Sequence, residues 1–148
     1  MFDLDKFVRE SNRSEGILRD PLPTELDATD AFISLPTIGF EDVIKFVSEI
    51  QPGAVLRERY GLDVRVGNHY PPKGAPEIRL KLDELLTELG DLSPYAAHVR
   101  YETLHPFTDG NGRSGRAIWL WQMLRLYSGA PLGFLHTFYY QSLQGARS

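Results

Sequence analysis

The stretch Ala117–Leu124 constrains the fold more than any other part of the sequence, because it is apolar on nearly every side of a helix. A helix of that kind belongs in the middle of a bundle, with other helices covering its faces. Glycine-rich sequence precedes it, and Gly129-Ala130-Pro131 follows it. The sequence therefore predicts a central helix from about Gly112 to Ser128, surrounded by the rest of the chain.

The segments that would cover this helix carry apolar residues at helical spacing, as Val43, Val47 and Ile50 do. Such spacing predicts amphipathic helices. Thr24 is predicted to cap the second of them, and Ser93 caps another in which Pro94 takes a first-turn position. The fold class is therefore expected to be all-α, a compact helical bundle. The predicted helices, besides the central one, cover 4–14, 24–35, 40–50, 76–89, 93–105 and 133–144.

One segment departs from helical spacing. Residues 64–66 form a short extended run between Gly61 and Gly67-Asn68, and a proline-rich stretch follows at 71–76. This arrangement favours an exposed β-hairpin, a flap over about 61–75, although an ordinary surface loop has the same composition. The expected architecture is one domain over 1–148 with a small hairpin on a helical bundle.

Composition excludes several classes of protein. The chain has 148 residues, 20 acidic and 16 basic side chains, a formal charge of −4 and no cysteine. Without cysteine there is no disulfide scaffold, thiolate nucleophile or cysteine-bound zinc. No apolar run approaches the roughly 18–20 residues that cross a bilayer, and the charged start lacks a signal core. We expect a cytoplasmic protein without direct contact to membrane or nucleic acid, although net charge does not exclude a local basic pocket.

The loop between the two central helices, His105–Arg116, carries the candidate chemistry. Glycines just ahead of a helix expose backbone N–H groups to a ligand, and the helix N-terminus adds partial positive charge. Arg113 and Arg116 lie three residues apart and share one face of the first turn. Two cations oppose the helix dipole there, so the arrangement suits a bound polyphosphate better than a purely structural role.

Two further residues complete this set. Asp109 offers the hard oxygen ligand that Mg²⁺ on a phosphate chain requires, and His105 can take up a proton near neutral pH. Together the residues fit phosphoryl or nucleotidyl transfer to a hydroxyl group. The P-loop pattern and the H-R-D and D-F-G triplets of protein kinases do not occur in the sequence.

The loop resembles the signature of the Fic (Fido) family, H-P-F-x-[DE]-G-N-G-R-x-x-R, and fills every defined position. Residues 66–72 are similar to the family's flap, and Ala96-Ala97-His98 precedes the signature as in relatives. The resemblance implies transfer of AMP from ATP to a Ser, Thr or Tyr hydroxyl of a target protein. It also implies that His105 is the general base and that Asp109 holds Mg²⁺ between the α- and β-phosphates.

The remaining roles follow from the same resemblance. Gly110, Asn111 and Gly112 would form the anion hole, with the Asn111 side chain near the α-phosphate. Arg113 would contact the β-phosphate and Arg116 the γ-phosphate. An exposed strand in the flap could bind a target segment by strand addition. The candidate docking residues are Val64, Arg65, Val66, Gly67, Asn68 and His69.

The N-terminal segment 4–16 carries a second pattern, because Ser11–Gly16 matches [ST]-x-x-x-E-[GN]. It resembles the inhibitory helix of self-inhibited Fic proteins, in which the glutamate pairs with the second arginine of the signature. Here that pair is Glu15 with Arg116, and Ser11 lies on the same helix face as Glu15. The resemblance implies autoinhibition that requires no separate antitoxin.

Several alternatives remain open at this stage. The same fold could transfer UMP or phosphocholine, remove AMP, or bind nucleotide without catalysis; a Doc-type kinase departs from the G-N-G-R-x-x-R pattern. His98 is expected to be a hydrogen-bonded structural residue, and Trp119 and Trp121 are expected in the core. The aromatic segment 133–144 could pack against its own bundle or form a homodimer surface, and the sequence does not separate the two.

Overall fold

The structure, a computed structural model, describes residues 2–126 of the chain. Those residues form helices with no β-strand among them, so the all-α prediction is confirmed. No helix in this range is long and apolar enough to span a membrane. The helix predicted at 133–144 lies outside the described residues. In chain order the elements are α1 (Leu4–Arg13), α2 (Pro23–Ile33), α3 (Phe40–Ile50), α4 (Glu77–Thr87), a 3₁₀ helix (Leu89–Asp91), α5 (Pro94–Leu104) and α6 (Asn111–Leu126).

Helix α6 occupies the middle of the bundle and contacts α1, α2, α3 and α5. Its side chains at Ala117, Ile118 and Leu120 are at most 1% exposed, as expected for a helix that is apolar on all sides. Trp119 and Trp121 lie half-buried at the edge of the core. Helix α6 begins one residue before the predicted start, and its predicted end at Ser128 lies beyond the described range.

Helix α1 packs against the middle of α6 through a small apolar cluster of its own. Phe7 and Val8 are 8% and 4% exposed and meet Leu120 of α6. Each such side chain contributes about 1.5–3 kcal/mol when buried, so two of them attach α1 only modestly. Asp3 caps the helix by accepting a 3.1 Å hydrogen bond from the Lys6 backbone N–H. The larger core lies among α2–α6, apart from α1.

The N-cap of helix α2 lies two residues before the predicted one, so the assignment of Thr24 as its N-cap is wrong. Leu22 occupies the cap position and Pro23 the first helical position. The reason is that Glu25, three residues after the cap, accepts a 2.8 Å hydrogen bond from the Leu22 backbone N–H. Proline at the first helical position needs no hydrogen-bond acceptor.

The predicted β-hairpin in the flap segment, residues 61–75, is not present. Within that segment one isolated bridge joins Val66 to His69, with N···O distances of 3.0 and 2.8 Å in the two directions. Pro71 and Pro72 follow directly and have no N–H groups, so they cannot donate to a ladder. The β-branched residues 64 and 66 favoured an extended run, but the prolines limit the pairing to a single turn.

Candidate active site

The loop before α6 starts at His105, which ends α5 in a left-handed conformation with φ of +51°. That conformation is rare for a residue with a Cβ atom, so the surroundings must hold it. The His105 N–H donates to the carbonyl of Tyr101 at 2.9 Å, and its own carbonyl accepts from Arg57 Nε at 2.7 Å. The residue is half-buried at the point where the chain turns away from α5.

Asn111 closes the loop onto itself. Its Oδ1 accepts a 2.9 Å hydrogen bond from the Phe107 N–H, and its Nδ2 donates at 2.8 Å to the Phe107 carbonyl. Phe107 is 1% exposed and anchors the loop in the core. The sequence analysis expected the Asn111 side chain near an α-phosphate; in the structure both of its polar groups bind the loop backbone. In the structure, the Asn111 side chain therefore stabilises the conformation of the loop.

Asp109 lies at the exposed tip of the loop. Its Oδ1 accepts a 2.8 Å hydrogen bond from the N–H of Gly110, whose φ of +79° favours glycine. No group of three or more potential metal-ligating side chains occurs within residues 2–126. A single accessible carboxylate fits a Mg²⁺ ion that takes its other ligands from phosphates and water.

Two glycines of α6, Gly112 and Gly115, each allow a different group to approach the helix closely. A Cβ atom on Gly112 would lie 2.6 Å from Glu15 Oε2 and 3.1 Å from Arg116 Nη1, so its absence admits the carboxylate to the helix N-terminus. A Cβ atom on Gly115 would collide with Glu102 of α5. There α5 and α6 approach closely, and His98 Nδ1 lies 3.1 Å from the Gly115 carbonyl oxygen. Gly115 therefore serves helix packing, unlike Gly112.

Arg116 contacts the end of α1 with three hydrogen bonds. Its Nε donates to Ser11 Oγ at 2.8 Å, and its Nη2 donates to the Ser11 carbonyl at 3.0 Å. Nη2 also donates to Glu15 Oε2 at 2.8 Å. The Arg116 side chain is 7% exposed and the Glu15 side chain 40% exposed. The structure thus brings together Ser11, Glu15 and Arg116, which lie about one hundred residues apart in sequence.

Arg113 contacts protein side chains that the sequence analysis did not predict as its partners. Its Nη1 lies 3.3 Å from Glu25 Oε2 and 3.5 Å from Asn12 Oδ1, and its Nη2 donates to Gln51 Oε1. Arg113 is 6% exposed. Burial lowers the pKa of Arg113, and the charge of Glu25 opposes that shift. Local sequence carried no signal for these contacts, because they join four separate elements.

Glu25 is a buried carboxylate, 3% exposed, that joins α1, α2 and α6. Besides Arg113 and the Leu22 N–H, it accepts hydrogen bonds from Asn12 at 3.2 Å and from Arg19 at 2.9 and 3.1 Å. Burial raises the pKa of Glu25, but the hydrogen bonds from Arg19, Leu22 and Asn12 outweigh it and lower the pKa to about 2. Glu25 is therefore ionised throughout the physiological range.

A sequence model of the Fic/DOC family matches residues 40–123, more than half of the chain. The chain belongs to the Fic/DOC family. Members of this family generally transfer nucleotides or other phosphate-containing groups to proteins, so the membership indicates a transferase. The match contains the whole loop from His105 to Arg116 and excludes α1 and α2. A comparison with curated proteins found no match.

The flap segment of this Fic/DOC chain lies beside the loop. His69 Nε2 is 3.0 Å from the Thr103 carbonyl oxygen, near the end of α5 that leads into His105. Arg65 Nε donates to the Gly67 carbonyl at 2.7 Å, and its guanidinium lies 5.0 Å from the centre of the Tyr70 ring. Gly67 and Asn68 are exposed, while Val64 and Val66 are half-buried. Four of the six candidate docking residues, Val66 to His69, thus form one turn, and Val64 and Arg65 lead into it.

Proposed function

We propose that this chain is a protein adenylyltransferase that moves AMP from ATP to a Ser, Thr or Tyr hydroxyl of a target protein. One observation carries the proposal: the Glu15 carboxylate lies against both Gly112 and Arg116 at the N-terminus of α6. An anionic oxygen therefore already occupies the position where a helix N-terminus and an arginine would bind a phosphate. His105 stands at the other end of the same loop, where a reacting hydroxyl needs a base.

In the proposed reaction, His105 accepts the proton of the target hydroxyl while the hydroxyl oxygen attacks the α-phosphorus. The bond from the α-phosphorus to the α,β-bridging oxygen breaks, and pyrophosphate leaves. The backbone N–H groups around Gly110 and Gly112 stabilise the charge that develops on the phosphoryl oxygens. Arg113 and Arg116 bind the β- and γ-phosphates. Asp109 would hold Mg²⁺, which when bound neutralises phosphate charge.

Glu15 is proposed to inhibit this reaction in the same chain. Its carboxylate takes the Arg116 hydrogen bond that the γ-phosphate needs, and it repels the incoming polyphosphate. A hydrogen bond between charged groups contributes about 1.5–3 kcal/mol. We infer that α1, within residues 4–16, restrains the enzyme, and that no separate antitoxin is required.

The flap segment is proposed to receive the target. With one bridge in place of a hairpin, any strand addition would be limited to the short segment from Val64 to His69. The contact of His69 with Thr103 would bring a bound segment close to His105, as acceptor hydroxyl and base must be.

The test is the full chain with Glu15→Gly, incubated with ATP and Mg²⁺ and with cell lysate, and analysed by intact mass. We expect adducts with the mass of AMP on this chain or on a target. Glu15→Gly with His105→Ala is the matched control. It should lose at least about a hundredfold in rate, since a general base contributes about 10²–10⁴-fold.

Other outcomes of that experiment are equally informative. An adduct with the mass of UMP or phosphocholine, with those donors present, would replace AMP transfer by a different transfer. Loss of AMP from a protein modified beforehand would indicate the reverse reaction. Absence of any adduct on Glu15→Gly would contradict the proposal and favour a catalytically silent nucleotide-binding module. Adducts that persist in the His105→Ala variant would contradict the assignment of the base.

A further inference from the structure

Arg57 is an arginine that the proposed reaction does not use, and it is 0% exposed. An arginine is rarely buried to this extent unless its charge is compensated. Here its guanidinium donates hydrogen bonds to four backbone carbonyls within residues 62–105. Burial lowers the pKa of Arg57, and the charge of Asp63 opposes that shift. Hydrogen bonds to several acceptors are needed to offset the free-energy cost of burying this charged group.

Two of these carbonyls end α5. Nε donates to the His105 carbonyl at 2.7 Å, and Nη2 donates to the Leu104 carbonyl at 2.9 Å. The last carbonyls of a helix have no partners within the helix and carry partial negative charge, so a guanidinium satisfies them well. The Arg57 backbone N–H also donates at 2.8 Å to the Pro106 carbonyl. Arg57 therefore holds three successive carbonyls around the left-handed His105.

The other two carbonyls belong to the flap segment. Nη1 donates to the carbonyl of Leu62 at 3.1 Å and to that of Pro72 at 2.8 Å. Asp63, next to Leu62, accepts a 2.8 Å hydrogen bond from the Gly74 N–H and closes the base of the flap. One planar group thus holds both ends of the flap and the backbone of His105. A guanidinium is a rigid fork of donors, and an ammonium group could not hold the same four carbonyls.

We propose that Arg57 is a positioning residue for AMP transfer, because it fixes the backbone of His105 relative to the flap segment. This rests on the proposed function, in which the flap holds the acceptor hydroxyl and His105 takes its proton. Reacting groups must be held to a fraction of an ångström, and a displacement of about 1 Å can cost roughly a hundredfold in rate. Arg57 acts through these two elements and does not touch the nucleotide.

The test compares Arg57→Lys with Leu82→Ala, both in the Glu15→Gly chain. Leu82 on α4 is 0% exposed and serves as a control for loss of stability alone. Arg57→Lys should lower kcat by about tenfold to a hundredfold, with KM for ATP and the affinity for a non-hydrolysable ATP analogue within about twofold. Leu82→Ala should keep kcat per folded molecule. Equal kcat in the two variants, measured per folded molecule, would overturn the proposal.

Hydrogen exchange provides a readout independent of activity. In Arg57→Lys, the backbone amides of His105 and of His69 should both exchange at least about tenfold faster than in the parent, because both segments lose the same anchor. Faster exchange at only one of them would overturn the link between loop and flap. This readout tests the link between loop and flap even if Glu15→Gly shows no AMP transfer, a result that would contradict the proposed function and not the link.

A milder variant covers the case in which Arg57→Lys does not fold. Asp63 is exposed, and Asp63→Ala removes the acceptor of the Gly74 N–H while leaving Arg57 in place. It should loosen the flap carbonyls and lower kcat by about threefold, again with ATP affinity unchanged. A kcat equal to that of the Glu15→Gly parent would overturn the proposal.

Discussion

Arg113 and Arg116 lie one helical turn apart on α6, yet each contacts a carboxylate in a different setting. Glu25, beside Arg113, is 3% exposed and also accepts hydrogen bonds from three other residues. Glu15, beside Arg116, is 40% exposed and lies just beyond the last turn of α1. The first carboxylate is part of the folded core. The second lies at the edge of the bundle, where solvent reaches it.

The difference suggests how a chain could hold one of two proposed phosphate-binding arginines permanently and cover the other reversibly. Removing Glu25 would leave a buried arginine without its charge partner, which is costly. Removing Glu15 would expose Arg116 and leave the packing of Phe7 and Val8 intact. The four predictions below each test whether the two contacts really differ in this way.

The largest effect is expected on stability, for Glu25→Gln. The substitution keeps the shape and removes the charge, so Arg113 and Arg19 lose a buried partner. The free energy of unfolding should fall by about 3 kcal/mol, measured by urea denaturation. AMP transfer should not rise, because Glu15 still covers Arg116. Glu84→Gln, at an exposed position of α4, is the matched control and should change stability by less than about 0.5 kcal/mol.

Acidic pH should remove the stabilising contribution of ionised Glu25 from the parent chain. The pKa of Glu25 is about 2 in the folded chain against an ordinary value of 4.5. The ionised form therefore favours the folded state, fully above about pH 4.5, and this contribution is lost as the pH falls toward 2. The difference in unfolding free energy between parent and Glu25→Gln should shrink by up to about 3 kcal/mol over that window. A difference independent of pH would show that charge is not the cause.

Glu15→Gly should show the opposite behaviour, a large effect on activity with a small one on stability. The charged hydrogen bond between Glu15 and Arg116 contributes about 1.5–3 kcal/mol, and in Glu15→Gly the ATP phosphates no longer have to displace it. The rate of AMP incorporation should therefore rise about tenfold to a hundredfold. Radiolabelled ATP measures it. Glu10→Gln, on the adjacent helix α1, should leave the rate unchanged. An equal rise in Glu10→Gln would mean that any disturbance of α1 activates the chain.

The smallest effect is expected for Ser11→Ala. Its Oγ accepts from Arg116 Nε at 2.8 Å, and a hydrogen bond of this kind contributes about 1 kcal/mol. The rate of AMP incorporation should rise about fivefold, well below the gain in Glu15→Gly. The double variant Ser11→Ala with Glu15→Gly should add little beyond Glu15→Gly. A decrease in rate would indicate that Ser11 supports Arg116 in the active state.

Helices defined by local patterns were predictable from the sequence. Helix α3 has the predicted bounds, because its apolar residues alone specify one face. Helix α5 begins at Pro94 behind Ser93, whose Oγ accepts from the Ala96 N–H at 3.1 Å. The flap was not predictable in the same way. A run of β-branched residues favours a strand, but a strand also needs hydrogen-bond partners on a neighbouring strand. Pro71 and Pro72, in the segment that would form the second strand of the hairpin, have no N–H groups to donate.

In the candidate site, too, the features encoded by contiguous residues were predictable, and the contacts between distant residues were not. His105 to Arg116 is contiguous, so its composition alone indicates an anion site. The contact between Glu15 and Arg116 was implied only by the resemblance of Ser11–Gly16 to the inhibitory helix of Fic proteins. Glu25 and Arg57 were missed. Glu25 lies 88 residues from Arg113, and Arg57 lies 48 residues from His105. No local spacing reports such contacts, because the packing of separate helices creates them.

The missing side chain at Gly112 has a consequence for how this chain can change over evolutionary time. The space that a Cβ atom would fill now holds the Glu15 carboxylate, and in the proposed reaction it lies beside the phosphates of ATP. A larger residue at position 112 would crowd the Glu15 carboxylate and, in the proposed reaction, the phosphates of ATP as well. In lineages that lose the proposed restraint but keep activity, we therefore expect changes within residues 4–16 and not at position 112.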